Sequence, residues 1–160
     1  MEIQSIEVPV PEGANVILGQ SHFIKTIEDL YEVMVNASPS LEFGVAFSEA
    51  SGPRLIRRDG NAPALVEAAT GILRSLACGH VFAIVMAGGF PVNVLNAVKD
   101  CREVCRVFCA TANRLQALVA VTAAGRGVVG VVDGEPPLGV ETEDDVRKRK
   151  EFLRKIGYKR

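Results

Sequence analysis

Residues 80–87 read HVFAIVMA: after His80 come seven apolar residues with no polar alternation. A strand of this kind is buried on both faces, so the fold must supply a cover on each side of its sheet. That excludes a half-solvated meander and points to an α/β chain. Two segments have the period needed to act as covers. In TIEDLYEVMVNASP, Ile27, Leu30, Tyr31 and Met34 fall at i, i+3, i+4 and i+7, one face of a helix. Across residues 62–77, Leu65, Ala69, Ile72, Leu73 and Leu76 turn inward behind Pro63 at the helix start. The spacing of Thr26 and Asp29 reads as a capping box on the first of these helices.

The remaining strands read as EIQSIEV and NVILGQ, split by the breaker PVPEGA, then LEFGVAF and EVCRVFCATA. PVNVLNAVKDC forms a short helix with Pro91 at its first position. Strand, short helix, strand predicts a parallel pair. LQALVAVTA, AGRG and VVGVVDG predict a hairpin. A charged helix begins at Thr142, which with Asp145 makes a second capping box. Phe152, Leu153 and Ile156 are expected to dock it, with RKRKE facing solvent. With 160 residues and no linker or repeat, the chain reads as one α/β domain over 1–160, a mixed sheet with helices on both faces.

Bulk charge narrows the function classes. Eighteen basic against nineteen acidic residues leave a net charge of −1, so no global basic field attracts nucleic acid. No apolar run approaches the ~20 residues of a membrane span. The opening MEIQSIEVPVPEG carries glutamates and no basic residue, which predicts no signal peptide and a cytoplasmic protein. Cys101, Cys105 and Cys109 are spaced C-x3-C-x3-C without any CxxC pair, so they and Cys78 read as core packing and no metal ligands are assigned.

The chemistry-bearing candidates lie at strand ends. AFSEASGPRLIRRDGN, residues 46–61, places Arg54, Arg57 and Arg58 among small residues on a connection between two apolar elements. Guanidinium forks match phosphate or carboxylate, while Ser48, Ser51 and Glu49 suit a sugar. The alternative is a wet surface loop laced with weak ion pairs. His22, in GQSHFIKT with Lys25 three residues on, fits either a base or phosphoryl acceptor near a helix start, or a polar loop residue. His80 reads as a structural histidine. MAGGFPVN and ATANR, the latter carrying Asn113, leave strand ends where α/β folds bind ligands. Asp133 in VVDG suits a turn, a ribose hydroxyl or a metal. No GxxxxGK[ST] phosphate loop occurs.

Together GQSHFIKTIEDLYE, FGVAFSEASGPRLIRRDGN, GHVFAIVM, PVNVLNAVK, EVCRVFCATAN, GRGVVGVVDG and RKRKEFLRKIGYK resemble the adenosine-specific kinase family, found mainly in archaea. The resemblance runs in order through nearly the whole chain. It implies a three-layer α/β/α sandwich that assembles as a homo-oligomer, a trimer being favoured. It implies adenosine or AMP as ligand and a link to histidine phosphorylation; an enzyme of this kind would use ATP as donor with Mg2+, and a binding protein would need neither. On that basis His22 is the phosphoryl acceptor, with Lys25 beside it and His80 second. The nucleoside and its phosphate fall to Phe47, Ser48, Glu49, Ser51, Arg54, Arg57, Asn61, Asn113 and Asp133. Phe47 or Phe90 would stack on adenine. The alternative is an adenosine or AMP sensor that does not turn over.

Overall fold

The computed structural model describes residues 1–160. The first half runs β1 (Glu2–Val8), β2 (Asn15–Ser21), α1 (Thr26–Ala37), β3 (Glu42–Ser48), β4 (Ile56–Gly60) and α2 (Pro63–Leu76). The second half runs β5 (Val81–Ala87), a 3-10 turn at Pro91–Asn93, α3 (Leu95–Asp100), β6 (Val104–Thr111), β7 (Leu115–Thr122), β8 (Gly125–Asp133) and α4 (Glu143–Lys155).

The strands form two sheets, ordered β4-β3-β5-β2-β6 and β1-β7-β8. Every neighbouring pair is antiparallel, which corrects the expectation of a mixed sheet. β5 and β6 do run in the same direction, as strand–helix–strand requires, but they never pair. β2 lies between them, antiparallel to both. The pattern of the segment fixed strand direction; adjacency went to β2, whose Val16, Ile17 and Leu18 have no exposed face and need a neighbour on each side.

Alternation along the central strands divides the core. Ile17, Phe43, Val45, Ile84 and Met86 meet Leu30 and Met34 of α1 and Val98 of α3. Val16, Leu18, Ala46, Ala83 and Val85 meet Ala69, Ile72, Leu73 and Leu76 of α2, and Ala117 and Val119 of β7. α2 lies directly on β3: a Cβ at Gly44 would stand 2.2 Å from the Val66 nitrogen. Glycine there lets helix backbone touch strand backbone.

Three local expectations change. The segment 46–61 is a loop only in its middle, because β4 pairs with β3 from Gly44↔Gly60 to Ser48↔Ile56 and puts Arg57 and Arg58 on an edge strand. Charge on an edge strand discourages further pairing. Thr26 does not cap α1. It is the first helical residue, fully buried, with its hydroxyl 2.7 Å from Ser21 Oγ, while Asp29 pairs with Lys25. The Thr142–Asp145 capping box does form at α4. That helix, however, buries no residue: Phe152 is 58% and Ile156 44% exposed, so the expected docking onto its own chain is absent.

Candidate functional site

β2 and β3 leave the five-stranded sheet at the same end where β5 and β6 enter it, and backbone hydrogen bonds knit that end together. His80 donates its N–H to the Ser48 carbonyl at 2.8 Å, and Ser21 donates to the His80 carbonyl at 3.0 Å. His22 donates to the Glu103 carbonyl at 3.1 Å. Ser48, His80, His22 and Glu103 therefore stand along one edge in strand order. His80 adopts a left-handed backbone with φ of 59°. Its ring stacks on Phe47 at 5.9 Å. Phe47 is 1% exposed, so its ring belongs to the core and leaves no face for a base.

The hairpin between β3 and β4 hangs from this edge. Glu49 staples its neck, accepting the Leu55 N–H at 2.8 Å and an Arg57 N–H at 2.9 Å. Those bonds, the Leu55 amide above all and then Arg57, hold the Glu49 carboxyl below the ordinary range against the opposing effect of burial. Glu49 and Arg57 thus spend their charges on each other. Arg54 stays free of that pair, in a left-handed conformation with φ of 53°. It faces a cavity of about 680 Å3 with Ser48, Arg74, Cys78, Gly79 and Arg126 among its lining. Arg126 is fixed there by donating to the Leu76 carbonyl at 3.0 Å and the Gln4 side chain at 3.1 Å. The three non-glycine residues with positive φ, Arg54, Ala77 and His80, all lie at this end. Backbone strain of this kind gathers at ligand sites. Three guanidiniums facing one committed carboxylate suit an anion.

Farther along the same edge, after β2, His22 is exposed and its ring packs on Phe23 at 6.4 Å. Lys25 donates to Asp29, which raises the lysine and holds the Asp29 carboxyl down, with burial opposing in both cases. Glu103 is only 4% exposed and its Oε1 lacks a partner. Burial first, then Glu103 and Asp29, push the Cys101 thiol to about 11. The first amides of α1 are already bonded, Thr26, Ile27 and Glu28 to the carbonyls of Phe23, Ile24 and Lys25, so this helix start offers those donors to no phosphate. Neither histidine lines the arginine cavity.

The other sequence candidates stand at the opposite end, about 20 Å away along seven-residue strands. Asn61 is a strap: it accepts the Phe43 N–H at 2.8 Å and donates to the Leu41 carbonyl at 2.7 Å. Asp133 accepts from Thr111 at 2.7 Å and Asn113 at 3.1 Å. Asn113 and Phe90 line a separate cavity of about 540 Å3 with Asn15 and Asn96. One set of sequence candidates has become two groups.

A family model described as adenosine specific kinase matches residues 6–159. The chain belongs to the adenosine-specific kinase family. The crystal structure of the PH1918 protein from Pyrococcus horikoshii OT3 is 41% identical and superposes with a TM-score of 0.95, covering 99% of this chain and 98% of that one. No curated protein matches significantly. No helix is long and apolar enough to cross a membrane.

The arginine cavity draws on three separate stretches of the chain. Arg54 was legible from its loop. Arg74 was hidden as an ordinary polar residue near the end of α2, and Arg126 as part of a glycine-rich hairpin. Only the packing of α2 against the β7–β8 turn brings them to Arg54. Glu103 gave no signal at all, since nothing local distinguishes a glutamate before a strand from a solvated one.

Proposed function

We propose that the chain binds adenosine or AMP, with the phosphate seated on Arg54, Arg74 and Arg126 in the 680 Å3 cavity. The observation that carries this reading is the charge state of the cavity wall: Glu49 is neutralised within its own hairpin by Arg57, and three other guanidiniums face the space. Ser48, which lines the cavity, is the choice for the ribose; Ser51 is exposed on the same hairpin and is not among the lining residues. The three-layer sandwich and the homotrimer implied by the family are part of the same reading. Calorimetry with AMP and adenosine tests it. AMP should bind more tightly, and Arg74→Ala should cost about tenfold in AMP affinity, the worth of one charge-assisted hydrogen bond, while leaving adenosine unchanged. Equal affinity for the two ligands in the wild-type protein would reject the phosphate assignment.

The catalytic extension of this proposal uses His22. A neutral imidazole nitrogen attacks the terminal phosphorus of ATP, the bond to the departing ADP oxygen breaks, and the 5′ hydroxyl of adenosine then takes the phosphoryl group from the histidine. Lys25, three residues on in the chain, is already paired with Asp29. No three acidic, histidine or cysteine side chains gather as a cation cage. Any Mg2+ would be held chiefly by the donor's own phosphates, as in sites that supply only one or two carboxylates. Loss of AMP production in His22→Ala supports this route; unchanged production rejects it. One observation favours the sensor reading instead: neither histidine lines the cavity that would hold the phosphate. Under that reading AMP binds and wild-type protein with ATP, Mg2+ and adenosine makes no AMP.

A further inference from the structure

The C-terminal segment is built unlike the rest of the chain. Residues 134–141 leave β8 without regular structure and pass through Pro136 and Pro137. Consecutive prolines make a semi-rigid spacer, which sets α4 apart from its own body. α4 buries no residue. Large apolar side chains nevertheless crowd this segment in the open: Leu138 and Val140 on the spacer, and Phe152, Ile156 and Tyr158 on the helix or just after it. Exposed apolar side chains gathered in one segment mark an interaction surface.

Helical geometry sorts these residues into two faces. At 3.6 residues per turn, Val146, Phe152, Leu153 and Ile156 fall within an arc of ~120°. From residue 147 on, the other side carries Arg147, Lys148, Lys150, Arg154 and Lys155, with Glu151 the one acid among them. Arg149 alone of the bases falls inside the apolar arc, and it is drawn aside by donating to both Glu141 carboxylate oxygens, at 2.8 and 3.0 Å. Residues 147–160 hold eight basic side chains and one acid, a net +7, and every one of the eight is exposed. Arg147 and Lys148 pair with Asp144, and Arg149 with Glu141. Lys150, Arg154, Lys155, Lys159 and Arg160 join no ion pair, so their charge is free for a partner.

We infer that α4 is a peripheral membrane anchor that lies on an anionic lipid bilayer. Its Phe152–Leu153–Ile156 seam enters the boundary below the headgroups, and its free lysines and arginines face the lipid phosphates. A lipid surface is the occupant because it meets both faces at once. Duplex nucleic acid would take the charge and leave the seam wet, whereas an uncharged groove would take the seam and leave the charge unmet. A helix of 13 residues is too short and too polar to span, so it lies in the plane of the interface. Such a helix is marginal in water until its seam is covered, and seating it therefore adds helix. The remaining 146 residues hold ten basic and eighteen acidic side chains, a net −8, which the same surface repels. The spacer reconciles the two. Fully extended, residues 134–141 reach ~26 Å, well beyond the ~8 Å over which salt screens charge, so the acidic body stands off while the arm is seated. The inference does not depend on what the arginine cavity binds.

Co-sedimentation of the full chain with vesicles tests it, using phosphatidylcholine alone and phosphatidylcholine mixed with phosphatidylglycerol. The wild-type protein should pellet with the mixed vesicles only, less so as salt rises, and should gain helical circular dichroism as it binds. Replacing Lys150 and Arg154 together by alanine should weaken binding about 30-fold, at the usual worth of a basic side chain near an anionic surface. Phe152→Ala, which keeps every charge, should weaken it about tenfold by removing apolar area from the seam. Failure to bind anionic vesicles overturns the inference, and so does equal binding to the neutral ones. Binding that Phe152→Ala leaves unchanged overturns it too, because the seam would then take no part. Two further results assign the helix to another occupant and also overturn it: tighter binding to duplex DNA than to anionic vesicles at the same salt, or a Leu153→Glu chain that sediments as a smaller species than wild type, which would place the seam between copies.

Discussion

At Glu49 one carboxylate serves two donors, the Leu55 amide and the Arg57 guanidinium, and this sets how the arginine hairpin responds to acid. Its folded pKa lies below the ordinary carboxylate value, so the staple contributes fully above the unfolded value of about 4.3 and is lost only as pH falls through the lower folded value. The Leu55 amide resonance should therefore titrate with a midpoint below about 4.3. Glu49→Gln should abolish that titration, and a wild-type midpoint at or above the ordinary value would show that the staple is absent in solution. The thiols make a second residue-scale case. Burial raises Cys78, and burial with nearby carboxylates pushes Cys101 and Cys109 to about 11, while Cys105 is exposed. Thiolate is the reactive form, so alkylation at neutral pH followed by peptide mass spectrometry should find Cys105 modified first.

Elements differ in how openly they declare themselves. α2 was legible almost to the residue, because its buried Ala69, Ile72, Leu73 and Leu76 repeat with the helical period behind Pro63. β5 was legible because a continuous apolar run has little else to become. β4 was not, since IRRDG carries neither alternation nor apolar content and is a strand only because β3 offers it an edge. The α1 start was misread because Thr26 and Asp29 have the spacing of a cap, yet each finds a better partner in Ser21 and Lys25. Direct contact between α2 and β3 gives the element-scale prediction. Gly44→Ala places a methyl 2.2 Å from the Val66 nitrogen, where only backbone can yield. It should lower stability by about 3 kcal/mol in urea unfolding, the upper part of the usual overpacking range. A loss under about 1 kcal/mol would mean that α2 slides on the sheet more freely than its packing implies.

In the whole molecule, the two groups of polar residues lie at opposite ends of the same strands. Arg74→Ala and Asn113→Ala should therefore act independently, their combined effect on AMP binding matching the sum of the single effects within about 0.5 kcal/mol. A larger coupling would mean that one ligand, or one conformational change, spans both ends. The same separation explains why the sequence candidates looked like a single site. Asn61 and Asn113 carry the right chemistry, but strand direction sends them away from Ser48, Glu49 and Arg54.

The amino-acid sequence by itself determined the α/β class, most element positions, the arginine-rich connection and the family, because these rest on local period, turn chemistry and long distinctive strings. Tertiary structure alone decided that β2 separates β5 from β6, that Phe47 lies in the core, that Arg74 and Arg126 join Arg54, and that α4 stands free of its own chain. Each of these depends on which surfaces are left to pair once every apolar face seeks cover. That competition is settled between elements far apart in sequence, where local pattern carries no information.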